Sequence, residues 1–569
     1  MSRRRAREGG GDEEDRLVVA RRMGADPDGG GASLFSQELD KQARALLQVY
    51  NRFLRQEVRK QHPKDRVLEQ DETPKYQYLA LVSEYMRSVC EVELRFAGTV
   101  GTVYVFGSND MFQQGLPRLI DDEEQGVDNH EPHQLGIVIK GVRQVRSGGV
   151  ASAALTVHGV PWTWGASDDG ALGRRQLENE GADAAERSQA TPAPVTGFVS
   201  QDGKNEDGTI TQLDVGAAHI VYLSMSGNVY MSGMMKDSDS GMWRNPDPRR
   251  DHSAKDKYGV KGCHETPVHI PEIKNTIAVF AGDSFCAALS ADRELCTWGF
   301  GNSGELARSR NMISPDKDGK FDLTTNAYVD KANDGEKDYK FVLDKYLTPA
   351  PVVWKLPGRS RKVMNVACGS FHLLVGAVED GHDRVQLYVS GLNQYGQLGL
   401  GDQEPRHALE KVPFFEKENL IVGQLAAGSF HSMALTADGT AIYTWGRGDK
   451  GVLGIGTGEA TKDGAFVDTP QRAHTPPGVL WKHIACGEAT SMALTIDEEL
   501  YTWGFEGVTG HGGKYNDDTD VRTPRLLEID DNMLVHSMDC GAQHGLFLAS
   551  PKPTPSSPQE PQTKRRKML

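Results

Sequence analysis

The chain has 569 residues, a formal net charge of −15 and 63 glycines. That length exceeds one domain of ordinary size, and the acidic balance argues against the body of the protein wrapping nucleic acid. No apolar run approaches the roughly 18 residues of a membrane helix, and the first residues lack the pattern of a secretory signal.

Residues 1–32 open with Arg3-Arg4-Arg5-Ala6-Arg7, pass through Gly and acidic residues and end in a glycine run. Such a segment cannot bury a core and is predicted to be disordered. Arg3, Arg4, Arg5 and Arg7 read as a nuclear signal or a nucleic-acid tether, with a plain solvated tail equally open. Residues 33–93 are predicted helical: Leu39, Ala43, Leu46, Leu47, Tyr50, Phe53 and Leu54 recur near helical spacing, and a second pattern runs from Tyr76 to Val92. These helices would dock on the rim of the downstream domain or bind a partner.

Residues 94–550 are built from a repeated cassette, clearest in LAAGSFHSMALTADGTAIYTWGRGDKGVLG from Leu425 to Gly454. Two short apolar runs, 431–435 and 441–445, flank Ala437-Asp438-Gly439-Thr440, a strong hairpin signal because the turn needs positive φ. The opening half, a Gly followed by an apolar run, recurs from Ser147, Val215, Ala281, Cys368, Cys486 and Cys540. The closing half recurs from Val103, Trp162, Val229, Leu295, Leu387 and Leu500, which makes seven of each. The first closing half has no opening half before it, and the last opening half has no closing half after it. The two orphans complete one another if the chain ends meet. A ring needs such a seam, whereas an open solenoid would end in capping repeats. The fold class is therefore all-β, a seven-bladed β-propeller closed by terminal strands.

Long polar insertions at 174–209 and 307–345 interrupt the blades; loops of that length are functional or disordered. Residues 551–569 are rich in Pro and Ser and end in Lys564-Arg565-Arg566-Lys567, a pattern that suits nuclear import or a bland basic tail. The seven cysteines form no CxxC pair and read as small buried residues of a reducing compartment.

No P-loop, HExxH, GxSxG or spaced carboxylate pair is present, so neither bond-making catalysis nor a cofactor is predicted. His219, His372, His431 and His544 each fall three residues after a repeat Gly. Their periodicity predicts a structural role, with ring nitrogens bonded to backbone at the turn, and no metal site.

The residues Leu425 to Leu435 resemble the signature repeat of the regulator of chromosome condensation family, and WGASDDGALGRR, Trp164 to Arg175, is similar to that family's second blade. Tandem copies cover roughly residues 95–550. In the family's nuclear exchange factor for the GTPase Ran, the third blade carries a Gly-x-Phe-Arg-Asp-x-x-Gly segment, a β-wedge pressed against the nucleotide pocket. Here Met235-Lys236-Asp237 stands in that place. The resemblance implies a wedge of Lys236, Asp237, Ser238, Asp239, Ser240, Gly241 and Met242, with rim contacts from Asp110, Asp283 and His544. It further implies a monomeric exchange factor for a Ran-type GTPase, without metal or membrane. The expected location is the nucleus, with a cytoplasmic pool, and the basic N-terminal tail would tether the protein to chromatin. The chain departs from the family at Ala217 and Ser284, where acids are expected, and at Phe430, where the family has His. A non-catalytic scaffold is the competing reading, and a light-signalling or ubiquitin-pathway propeller a third.

Overall fold

The Leu425 copy explains how each repeat folds. His431–Thr436 pairs antiparallel with Ile442–Arg447, from His431↔Gly446 to Leu435↔Ile442. Gly439 takes φ 70° in the turn, a conformation that costs glycine nothing sterically. Asp438 Oδ1 fastens that turn, accepting from Thr436 Oγ1 at 2.6 Å and Thr440 N at 3.1 Å. Val422–Ala427 joins one side and Phe466–Arg472 the other, giving four antiparallel strands, here called a to d in chain order.

The computed structural model describes residues 101–552 apart from 116–128, 136–138, 168–169, 175–187, 199–208, 237–240, 243–263, 300, 302, 309–319, 323–326, 330–347, 357–359, 383, 459–461, 463 and 513–519. The helical segment expected at 33–93 and both tails lie outside these residues. Among the described residues there are seven four-stranded sheets and two two-stranded ribbons. Blade 1 holds the seam. Thr102–Gly107 pairs with His544–Pro551, with Val103↔Leu548 and Phe106↔Gly545 in register. The expected closure by terminal strands is thus observed.

The a strands form the inner wall. In ring order they are Met533–Cys540, Val142–Ser147, Ile210–Val215, Thr276–Ala281, Arg361–Cys368, Val422–Ala427 and Trp481–Cys486, and each touches the next until the circle closes. An inner strand has one unpaired edge, and unpaired backbone groups are costly when buried. Polar side chains of the neighbouring blade meet that need. Gln212 Oε1 accepts from Val279 N at 3.1 Å while its Nε2 donates to Val279 O at 2.9 Å. Asp214 accepts from Ala281 N at 2.8 Å, Asp539 from Ser147 N at 2.9 Å and Gln424 from Ile484 N at 3.1 Å.

The repeat glycines mark the closest approach of the blades. A Cβ on Gly148, Gly216, Gly282, Gly369, Gly428, Gly487 or Gly541 would come within 2.5 Å of the carbonyl oxygen of the next glycine in that series, the last meeting Gly148. Only a residue with no side chain fits seven times around. The amide after the glycine uses the same proximity: Ser370 N donates to Gly428 O at 3.2 Å, Glu488 N to Gly541 O at 3.2 Å and Ala542 N to Gly148 O at 3.1 Å.

Outward of this circle the core lies between blades, one apolar cluster at each of the seven interfaces. The b strands Ala151–Thr156, His219–Ser224, His431–Thr436 and Thr490–Thr495 are buried along their whole length, which is why they read as continuous runs rather than as alternation. Polar staples cross the same interfaces. Trp445 Nε1 and Ser432 Oγ both donate to Gln397 O of the preceding blade, each at 2.8 Å. Trp164 and Ser152 treat Gln113 O alike, and Trp503 and Ser491 treat Val452 O alike.

The periodic histidines complete these staples, and here the expectation from sequence needs correction. Their Nε2 atoms reach side chains of the following blade: His372 to Ser432 Oγ at 2.8 Å, His431 to Ser491 Oγ at 2.9 Å, His544 to Ser152 Oγ at 2.9 Å and His219 to Cys286 Sγ at 3.1 Å; His219 alone also bonds backbone, at Phe285 of that blade. In three cases the serine hydroxyl already donates to a carbonyl, so the histidine is the donor.

The frame makes two testable predictions. Gly428→Ala should lower stability by about 1–3 kcal/mol, read as a lower denaturant midpoint, because the Cβ must push two backbones apart. Gly458→Ala, whose Cβ meets nothing within 4 Å, should stay within about 0.5 kcal/mol of the parent. The second prediction concerns pH. Burial lowers the imidazolium pKa of His219, His431 and His544 to about 4 and of His372 to about 3, against 6.5 for an exposed ring. As pH falls below 6.5 the unfolded chain takes up protons that the folded one refuses. The staples' contribution is therefore complete above 6.5 and is lost progressively toward pH 4. His431→Gln, which keeps a donor but cannot titrate, should flatten the fall in unfolding free energy between pH 6.5 and 4.5; an unchanged slope would contradict the assignment.

Candidate functional site

Neighbouring strands in each blade are antiparallel, so the a–b turns and the c–d loops emerge on one face and the b–c turns on the other. The ring glycines, Asp110, Asp283 and the segment after Gly233 all belong to the first face. In blade 3, strand c is Val229–Gly233, and one residue later Met235–Lys236 pairs with Gly241–Met242 as a short antiparallel ribbon, Met235↔Met242 and Lys236↔Gly241. Met234 anchors its base in the core between blades 3 and 4. Of the residues expected in a wedge, Lys236, Gly241 and Met242 lie on this ribbon; Asp237, Ser238, Asp239 and Ser240 lie outside the described residues. So do Arg3, Arg4, Arg5, Arg7, Lys564, Arg565, Arg566 and Lys567.

Asp110 is exposed at the start of the blade 1 c–d loop. Asn109 beside it is 2% exposed and organises the loop by accepting from Gln114 N at 2.9 Å. Asn393 does the same for Leu398 N in blade 5. Asp283 follows the ring glycine of blade 4 and is half-buried. Burial raises its carboxyl pKa, a hydrogen bond with Ser370 opposes that rise, and the charge of Glu488 adds to it. His544 is 1% exposed and occupied by Ser152. On this face Asp110 is open to solvent and Asp283 partly so, whereas His544 is enclosed in the frame it braces.

The insertions are fastened where they leave the ring. Arg174, its guanidinium pKa lowered by burial to about 10, donates from Nη2 to Ser188 O at 2.8 Å and Thr191 O at 3.0 Å, closing the neck of the blade 2 excursion. Arg308 Nη2 bonds Thr297 O and, at 3.0 Å, Thr348 O, closing that of blade 4. The stretch expected as one insertion at 174–209 is divided by strand Ala193–Pro194, so its two parts serve opposite faces. The insertion expected at 307–345 carries a ribbon of its own, Lys320–Asp322 with Ala327–Val329.

An aromatic group on this face was not anticipated from the sequence. Phe371 and Phe430 stack with centroids 5.5 Å apart, Tyr395 meets Phe430 edge-on at 5.3 Å, and the Arg447 guanidinium lies over Tyr395 at 5.4 Å. The signal was available, since Gly-Ser-Phe-His occurs at both 369–372 and 428–431. Among the described residues no group of three or more His, Cys, Asp or Glu could hold a metal ion. None of their helices is long and apolar enough to cross a membrane.

Residues 102–547 match the family described as RCC1-like domain. The human protein named regulator of chromosome condensation is 25% identical over 460 residues, 79% of this chain and 91% of that one. The Arabidopsis thaliana ultraviolet-B receptor UVR8 is 29% identical over 300 residues, 49% of this chain and 63% of that one. Among solved structures, Prp20p from Saccharomyces cerevisiae, described with its binding to Gsp1p and histones, aligns with a TM-score of 0.61 at 21% identity, covering 80% of this chain and 92% of its own. With a family match that spans most of its length, a seven-bladed ring and terminal strand closure, the chain belongs to the RCC1-like domain family.

Proposed function

We propose that this propeller is a guanine-nucleotide exchange factor for a Ran-type small GTPase, acting in the nucleus and held on chromatin by its basic N-terminal tail. The observation that carries the reading is the ribbon Met235–Lys236/Gly241–Met242, which leaves blade 3 on the same face as Asp110 and Asp283. Similarity to the regulator of chromosome condensation over 91% of that protein's length supports it, as does the fold shared with Prp20p.

Exchange requires no general base. The factor must bind the nucleotide-free GTPase more tightly than the loaded form, and it can weaken nucleotide binding by no more than that differential affinity supplies. By linkage, whatever factor the propeller takes from nucleotide affinity, nucleotide takes from propeller affinity. A ring with seven close-packed joints suits this task, because a prong on a stiff base can strain a partner's nucleotide site without yielding itself. Carboxylates on the face favour encounter with a basic partner surface.

Ran loaded with fluorescent GDP should release it at least tenfold faster at micromolar propeller. No acceleration would contradict the proposal and leave a scaffold that binds protein on this face. Deleting Lys236–Met242 should abolish the acceleration while leaving the thermal midpoint of the ring unchanged; an active deletion variant would remove the ribbon from the mechanism. A tagged chain lacking both basic clusters should lose nuclear enrichment, and one that stays nuclear without a carrier would contradict the role given to the tails.

A further inference from the structure

The two Gly-Ser-Phe-His copies put a phenylalanine at the a–b turn of blades 5 and 6. The corresponding residues of the other blades are Val150, Ala218, Ser284, Ala489 and Gln543, so the ring does not need an aromatic there. The Trp, Ser and His staples already close these interfaces beneath the turn. Phe371 nevertheless keeps 37% of its surface exposed, with its ring against Phe430 at an interplanar angle of 24°. Arg447 spans Tyr395 and Phe430 at 5.4 and 5.9 Å, and Asp449 Oδ2 holds its guanidinium at 2.5 Å.

These side chains are pre-ordered by one another, so fixing them costs a partner little entropy. Clustered aromatics with an arginine are also what concentrates binding energy at protein interfaces. Charge decides the class of occupant. Arg447 is neutralised by Asp449, and the exposed Glu488 lies close enough to act on both Arg447 and Asp283. A phosphate backbone would meet uncompensated carboxylates here, whereas an apolar protein patch rimmed by lysine or arginine would be matched.

We propose that Phe371, Phe430, Tyr395 and Arg447 form a second anchor on the ring face, seating an apolar, basic-rimmed patch of the GTPase. This rests on the proposed exchange activity. The anchor lies in blades 5 and 6 and the ribbon in blade 3, so the two divide the work. A surface that grips the partner equally in every state lowers KM alone, while one that acts only as nucleotide leaves raises kcat.

The test is steady-state exchange on Ran with the parent chain, Phe371→Ala/Phe430→Ala, the single variant Phe371→Asp and the Lys236–Met242 deletion, alongside anisotropy of a short labelled DNA duplex. The anchor predicts that the double variant raises KM about tenfold or more with kcat at saturation retained, and that the deletion loses kcat instead. Phe371→Asp, at an exposed position, should raise KM in the same direction and guards against misfolding of the double variant. An active parent with KM unchanged in both variants would overturn the anchor and leave the exchange reading standing. Loss of kcat at constant KM, or duplex binding that vanishes in the variants, would also overturn it. A parent that releases no nucleotide overturns both.

Discussion

The structure depends on how closely seven backbones approach around one circle. At Gly148, Gly216, Gly282, Gly369, Gly428, Gly487 and Gly541 the inner corners of adjacent blades meet with no room for a Cβ. The constraint is steric rather than conformational, since none of these glycines takes positive φ. The rest of the frame is set by the spacing this contact imposes. With the corners in register, a Trp or Ser reaches the carbonyl of the preceding blade and a His reaches the hydroxyl or thiol of the following one. The inner wall is closed by Gln and Asp side chains standing in for a missing strand. Because the first and last strands of the ring pair in one blade, the circle has no free edge to fray.

A frame fixed at its inner corners leaves its loops free to differ. Blade 3 carries a ribbon, blades 2 and 4 carry excursions pinned by Arg174 and Arg308, and blades 5 and 6 carry stacked aromatics. All of these emerge where the a–b turns and c–d loops do. The buried histidines stay neutral and inside, so their acid sensitivity is a property of the frame. The proposed exchange by differential binding would draw on this division of labour, with rigidity supplied below and specificity above.

Much of the fold was legible because its signals are local. Asp438-Gly439 announced a hairpin, the seven-fold recurrence announced the blades, and the unmatched halves at Val103 and Cys540 announced the seam. The partners of Gln212, Asp214 and Gln424 were not legible, since each bonds backbone some 60 to 67 residues away and reads in the sequence as an ordinary polar position. The histidines show the same limit: their period gave the structural role, but the acceptor belongs to another repeat. Strand Ala193–Pro194 is only two residues long, too short to announce that it divides an insertion between two faces. The aromatic pair was visible as a duplicated tetrapeptide, yet only closure of the ring brings the copies into contact.

The central claim is that one face of a rigid ring does the work, and hydrogen–deuterium exchange on mixing with nucleotide-free Ran tests it most directly. The account predicts new protection in peptides containing Asp110, Asp283, Phe371 and Phe430 and in the segment after Gly233, with none at the b–c turns 225–228, 437–440 and 496–499. Protection at those turns with the opposite face unchanged would contradict it.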